Sequence, residues 1–439
     1  MDRLHTPDDR GGSTRREFLQ HSAIALAGGS LAAGAAAVAH GAYAGGSDTI
    51  RIGLVGCGGR GAGAAREALK ADPNARLVAV AEAFQDRLEL GLGALRRDED
   101  VGERVTVEPE REFVGFDAYR QVIESDVDVV LLATPPQFRP LHLRASIEAG
   151  KHVFAEKPVA VDAPGVRSVL ETTELAKRKG LCIVSGLNSR YSHTLLELIR
   201  RIHEGAIGEI TALSAVRHAA GVWVRPREPG MTEMEYQMRN WYYFTWLSGD
   251  FNVEQFVHQY DQLAWALGDG YPERCYSTGG RQTRTGPEYG HIFDHFSSVF
   301  EYAGGARAFA TTRHQPGCSN ESDVLVMGTK GTATLSRGNP GITGENPWRA
   351  PRREREDSHQ LEQIAFFEAL RAGRVINNGA YMANSTLMAI LARETAYTGQ
   401  SITWEQMLQS QRSLAPSAWA WDAEPPAAEV AVPGVTKFV

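Results

Sequence analysis

The chain has 439 residues, of which 23% are charged and 43% hydrophobic, and its net charge is −7. A mildly acidic, mixed composition argues against nucleic acid as a partner, and the length exceeds one ordinary core, suggesting about two domains. Cys57, Cys182, Cys275 and Cys318 show no C-x-x-C or zinc spacing. Cys275 and Cys318 could pair in an oxidising compartment, but unpaired buried cysteines are the expectation.

Thr14-Arg15-Arg16-Glu17-Phe18-Leu19 sets paired arginines ahead of an Ala-rich apolar run over residues 23–39, and Ala42-Tyr43-Ala44 follows as a small-x-small cleavage pattern. This resembles a twin-arginine signal peptide. The run is short and Gly-rich against a membrane span of about 20 apolar residues, so a cleaved signal is read over 1–44 rather than an anchor. The implied partner is the twin-arginine export machinery, and the implied location is periplasmic. That route carries proteins already folded, which suits one that traps a cofactor before export.

Ile50-Arg51-Ile52-Gly53-Leu54-Val55 reads as a buried strand, followed at once by Gly56-Cys57-Gly58-Gly59-Arg60-Gly61 and a helical stretch, Ala62 to Ala71. In this order the G-x-G-x-x-G becomes a candidate dinucleotide turn. Gly56 permits the tight turn, Gly58 lets backbone approach a pyrophosphate, and Gly61 lets helix pack on strand, while the helix N-terminus offers free N–H groups. Gly59 and Arg60 join them as candidate cofactor contacts. A second strand over 75–81 ends at Glu82, 21 residues after Gly61, where a carboxylate would accept from ribose hydroxyls and repel a 2′-phosphate. NAD is therefore expected rather than NADP, although Arg87 stands close enough to oppose this, and Glu82 could be an ordinary solvated acid.

Residues 126–134 form a third strand, too continuously apolar for an amphipathic one, and run into Pro135-Pro136. A helix follows from Leu141 to Ala149, then a strand, Lys151 to Ala155, ending in Glu156-Lys157-Pro158. This alternation predicts a doubly wound parallel sheet of the Rossmann type over 48–170. Gly56, Glu82, Thr134, Pro135, Glu156 and Lys157 then gather at the carboxyl ends of its strands, where such sheets bind ligands.

The pieces GLVGCGGRG, ATPPQFRPLHLRASIEAGKHVFAEKPVAVD, GLNSRYSH and IGEI, across residues 50–210, resemble the glucose-fructose oxidoreductase / inositol dehydrogenase / rhizopine catabolism family. The resemblance implies a Rossmann domain followed by a C-terminal α/β domain with an open mixed, largely antiparallel sheet, placed here over 171–400 as a substrate-binding and oligomerisation domain. It implies NAD(P)-dependent oxidoreduction of a small carbohydrate at a CH–OH group, and homo-oligomers, dimers or tetramers, built through the open sheet face. Lys157 of the Glu-Lys-Pro motif is the implied catalytic lysine, beside nicotinamide and substrate. Its alternative is a structural pair with Glu156. The family's second catalytic element is a histidine four residues after an aspartate. Glu254 and His258 have that spacing with Glu replacing Asp, which makes His258 the expected acid/base, oriented by Glu254 from a shared helix face with Asp261 at the next turn.

Asn188, Arg190 and Tyr191 fall where the family brings substrate or cofactor contacts, although Arg190 could equally make a domain-interface salt bridge. Trp241, in the aromatic run 240–246, is a candidate sugar-covering ring, against the commoner reading of such clusters as core. His291, Asp294 and His295 could line the same cleft, or alternate on a strand with Phe293 and Phe296 packed behind. His258, Asp261, His291 and His295 lack a compact metal-binding motif, and no metal is expected. Residues 335–360 are expected to form an irregular surface arm, and the extension 401–439, punctuated by prolines, to wrap another subunit.

Overall fold

The computed structural model describes residues 48–336, 339–351 and 356–439; the predicted signal, 1–44, lies outside them. Six strands, β1 (Ile50–Val55), β2 (Ala75–Glu82), β3 (Glu112–Val114), β4 (Val129–Leu132), β5 (His152–Ala155) and β6 (Ile183–Ser185), form one sheet in the order β3-β2-β1-β4-β5-β6. All its pairs are parallel. The central strands β1, β4 and β5 are mostly Val, Ile, Leu, Ala and Phe, as strands covered on both faces require, whereas the edge strand β3 is half-exposed. The helix Gly59–Ala71 lays Gly61, Ala64, Ala65, Ala68 and Leu69 on the sheet, a spacing that makes one apolar stripe. It starts three residues earlier than the Ala run suggested, because the glycine turn itself winds into the first helical turn.

The second sheet holds β7 (Ile210–Ala219), β8 (Arg274–Gly280), β9 (His295–Glu301), β10 (Arg307–His314), β11 (Glu321–Gly328), β12 (Gly331–Thr334), β13 (Gly341–Gly344), β14 (Trp348–Arg349) and β15 (Ile402–Thr403). Their order is β14-β13-β12-β11-β7-β10-β9-β8-β15. Only β7 with β10 is parallel; the other pairs are antiparallel. This is the mixed, mostly antiparallel sheet that the resemblance implied. The stretch 335–360 departs from expectation, since β13 and β14 extend the sheet there.

Two late helices tie the halves together. Gly379–Thr398, buried along almost its whole length, packs against both the helix Ala163–Lys179 and β8. Ser358–Arg371 lies on the helix Gly59–Ala71, and its Arg371 pairs with Asp72 at 2.7 Å.

The tail after Gln409 was expected to wrap another subunit; it has no regular structure and lies across its own chain. Leu414 N donates to Asp162 Oδ2 at 2.8 Å, and Gly434 N donates to the Thr398 carbonyl at 2.9 Å. All four cysteines are free: Cys57, Cys182 and Cys275 are buried, and Cys318 is exposed. Among the described residues no helix is long and apolar enough to cross a membrane, and no cluster of three or more His, Cys, Asp or Glu side chains could hold a metal ion.

Candidate active site

A cleft of about 360 Å³ opens at the carboxyl ends of β1, β2 and β4, walled by the glycine turn, Glu82, Phe84, Arg87, Phe116, Thr134, Pro135 and Phe138. The segment after β7 and the helix Glu233–Arg239 close its other side with Trp223, Arg225, Met238, Arg239 and Trp241. Trp241 is therefore a cleft residue, whereas Tyr242, Tyr243, Phe244 and Trp246 of the same aromatic run are buried core. Sequence gave no means to separate them.

The glycines divide by task. Gly56 has φ +98°, and a Cβ there would meet Ala133 backbone at 2.7 Å. A Cβ on Gly61 would lie 1.8 Å from the Gly56 carbonyl oxygen. Gly58 and Gly59 have nothing within 4 Å of the same added atom, and Gly58 starts the helix without a side-chain cap. Two glycines thus allow close packing, and two leave backbone N–H groups open to the cleft. A pyrophosphate fits such a cradle.

Glu82 Oε2 accepts from Cys57 N at 2.8 Å and Oε1 from Ala83 N at 2.7 Å. Burial raises its carboxyl, while these amides and Arg87 act the other way. Rather than being a solvated acid, it braces the glycine turn from the cleft wall. Arg60 also lines the cleft, but its guanidinium is committed to Glu67 at 2.6 Å and to Glu156. Burial opposes the Glu156 charge, yet Arg60, Lys157 and Arg139 hold its carboxyl below the usual range.

Arg60 and Glu156 lead from the cleft to Lys157. Lys157 Nζ donates to the Glu254 carbonyl oxygen at 2.6 Å and to Glu254 Oε1 at 3.0 Å. Two turn residues, Gln255 and Phe256, separate the helix Phe251–Glu254 from Val257–Ala266, so Glu254 and His258 do not share one continuous helix, and the Glu254 carboxylate reaches Lys157. His258 stands half-buried in the first turn of the second helix. Arg139 was not anticipated. It is buried, donates to the Pro158 carbonyl at 2.7 Å, and feels the charges of Glu156 and Glu254, while burial pulls its guanidinium down to about 10.

Glu156, Lys157, Glu254 and His258 stand outside the cleft lining, and so do the remaining candidates. Arg190 makes a two-nitrogen pair with buried Asp261 at 2.9–3.0 Å, reaches Asp269 at 2.6 Å, and lies 3.9 Å from the Tyr381 ring centroid. Ser385 also donates to Asp261. Arg190 forms a salt bridge, but within 171–400 rather than across the domain interface, and Asp261 is its counter-ion, since a buried carboxylate requires a paired partner. Asn188 donates to Ser358 Oγ, and Tyr191 donates to Asn378 Oδ1, each at 2.8 Å. His295 opens β9 and pairs with buried Asp294 at 2.8 Å, with Phe293 and Phe296 packed in the core. Asp294 also accepts from the backbone N–H groups of Gln282, Thr283 and Arg284, which fixes that loop.

A family model described as "Oxidoreductase family, NAD-binding Rossmann fold" (GFO_IDH_MocA) matches residues 50–187, and that family's C-terminal domain matches 195–334. Together they match more than half of the chain. The chain belongs to the GFO/IDH/MocA family. Family membership makes it an oxidoreductase, and its cofactor is NAD. The chain is 25% identical over 292 residues to inositol 2-dehydrogenase of Rhizobium meliloti, covering 66% of this chain and 77% of that protein. It is 27% identical over 164 residues to a glycosyl hydrolase family 109 protein of Streptomyces coelicolor, covering 37% and 33%. The structure of aldose-aldose oxidoreductase from Caulobacter crescentus with glycerol shares the fold at TM-score 0.62 and 17% identity, over 81% of this chain and 99% of that one. In this family member the open backbone of Gly58 and Gly59 and the Glu82 carboxylate are the groups that would hold the NAD pyrophosphate and ribose.

Proposed function

We propose that this chain is an exported sugar or polyol oxidoreductase that acts on a CH–OH group and keeps NAD(H) tightly bound. The observation that carries the reading is Lys157, fixed at the end of β5 by Glu254 from the second domain, one residue from a Glu156–Arg60 link into the dinucleotide cleft. Bound NAD(H) supplies the hydride acceptor and donor. Lys157 presents an N–H to the carbinol oxygen, and His258 takes or returns the hydroxyl proton. Kinship to an inositol 2-dehydrogenase and the fold shared with an aldose-aldose oxidoreductase support a polyhydroxylated substrate.

Export rests on the paired arginines Arg15 and Arg16 and the cleavage pattern at 42–44. Outside the cytoplasm little free NAD(H) is available for exchange, so a retained cofactor requires a redox-neutral cycle. One sugar reduces it and another reoxidises it. A second reading, an NAD-dependent glycosidase that transiently oxidises, eliminates from and re-reduces one sugar, is favoured by the kinship to glycosyl hydrolase family 109 proteins. The working unit is proposed as a dimer or tetramer.

Acid extraction of the purified chain followed by mass spectrometry should yield NAD, and a sugar panel should reduce it without added nucleotide. Release of an aryl leaving group with no net reduction would select the glycosidase. A chain purified gently but free of nucleotide would overturn tight binding, and cytoplasmic retention of the wild-type precursor would overturn export.

A further inference from the structure

Three phenylalanines wall the cleft, each from a different loop: Phe84 after β2, Phe116 after β3 and Phe138 after β4. Phe84 follows Glu82 by two residues and Phe116 follows Gly115, whose N–H donates to the Glu82 carbonyl at 2.9 Å, so these two border the adenosine end of a dinucleotide whose ribose Glu82 receives, with Phe138 against Phe116. Behind them lie two tryptophans of the C-terminal tail, neither of which lines the cleft. Trp421 packs tilted against Phe116 with ring centroids 4.3 Å apart and against Phe84 at 4.9 Å. Trp419 meets Phe138 at 4.8 Å and Phe116 at 6.0 Å.

We infer that the segment after Gln409 is a strap that locks the dinucleotide in its cleft, with Trp419 and Trp421 as positioning residues for the aromatic wall. The strap is tied on both sides of the tryptophans. Arg167 donates to the carbonyls of Leu408 and Ser410, Leu414 is bonded to Asp162, and Gly434 is bonded to the Thr398 carbonyl. In the middle, the Trp421 carbonyl accepts from Thr232 Oγ1 at 2.7 Å. Thr232 caps the helix Glu233–Arg239, whose Met238 and Arg239 form the opposing wall. Arg239 itself sits 4.1 Å from the Phe84 centroid and pairs with Asp86 at 3.0 Å. One stretch of chain therefore holds both lips of the cleft, and parting them to release the ligand means pulling the tryptophans off the phenylalanine rings. No residue of the tail after Ser410 is buried and most are exposed, so discrete bonds and ring contacts rather than deep burial set its grip.

This inference rests on NAD(H) occupying the cleft, and the experiment separates the two. The holoenzyme with Trp419→Ala, Trp421→Ala, both together, or Trp421→Phe is mixed with a trap for free NADH, and release is followed by the fluorescence of bound NADH. The double variant should release nucleotide about 10- to 100-fold faster. Trp421→Phe should restore slow release, and the single-turnover rate of still-loaded enzyme should stay unchanged. If the double variant does not fold, cutting the folded wild-type-like holoenzyme at a protease site inserted between Leu414 and Trp419 gives the same readout. Wild-type release rates from a loaded double variant, or from cut enzyme, would overturn the strap. A wild-type chain that never holds NAD(H) would instead overturn the reading on which the strap rests.

Discussion

Lys157, at the end of a Rossmann strand, and Glu254, at the end of a short helix in the second domain, are joined by two hydrogen bonds, one to the carboxylate at 3.0 Å and one to the backbone carbonyl at 2.6 Å. The lysine is thereby positioned from across the domain junction. Lys157→Ala should lower turnover by about 10²–10⁴-fold if it handles a proton or binds the reacting oxygen. Glu254→Gln should cost less, because the backbone carbonyl still holds Nζ. Single-turnover reduction of bound NAD measures both, and equal losses would show that the carboxylate does more than position.

The glycines of the turn should separate under substitution. Gly61→Ala places a methyl 1.8 Å from a backbone oxygen, so a loss of about 1–3 kcal/mol is expected from overpacking. Gly58→Ala meets nothing within 4 Å and should leave the melting temperature of the nucleotide-free chain unchanged while weakening NAD binding. Thermal denaturation with and without NAD distinguishes them.

Glu82→Ala removes the acceptor that braces Cys57 N and Ala83 N. Hydrogen bonds to a charged group contribute about 1.5–3 kcal/mol, so NAD affinity should fall about 10- to 100-fold. NADP affinity should fall less or rise, with Arg87 beside the vacated position. Titration calorimetry with both nucleotides checks this.

Asp261→Asn breaks the pair with Arg190 inside the protein, and removal of one partner of a buried pair costs about 3–5 kcal/mol. The expected result is a lower unfolding midpoint in urea with an unchanged KM for the variant that remains folded. A raised KM at unchanged stability would return Asp261 to the substrate site.

Burial, with Arg139 and Arg120 nearby, pulls His142 down from 6.5 to about 3. A folded-state value below the unfolded one stabilises above pH 6.5, and that contribution is lost as pH falls toward 3. His142→Gln should therefore flatten the stability–pH profile by about 1.4 kcal/mol per pH unit below pH 6.5. Urea denaturation between pH 4.5 and 7.5 for both chains tests the slope.

The Rossmann half was legible because its signals are local. An apolar run, a glycine turn, a helix and an acid at the next strand end occupy a short stretch of chain, and each follows from sterics or burial that neighbours in sequence already specify. β3 was missed because Glu112-Phe113-Val114 is three residues long and half-exposed, with its only sheet partner in β2. The helix Gly379–Thr398 was missed because it is buried nearly all round, its polar residues such as Ser385, Thr386, Arg393 and Glu394 included, so no polar face marks an amphipathic stripe.

Sequence by itself determined the family, the dinucleotide turn, NAD as cofactor, and the identity of the lysine at the end of β5. Tertiary structure alone decided which charges meet. Spacing four residues before a histidine says nothing of a lysine 97 positions away, and Glu254 reaches that lysine. Arg190 and Asp261 looked like site residues by position, yet charges buried together must neutralise one another. Chain order cannot say which distant residues burial will bring together, nor that Trp419 and Trp421 would return to back the loops after β2, β3 and β4.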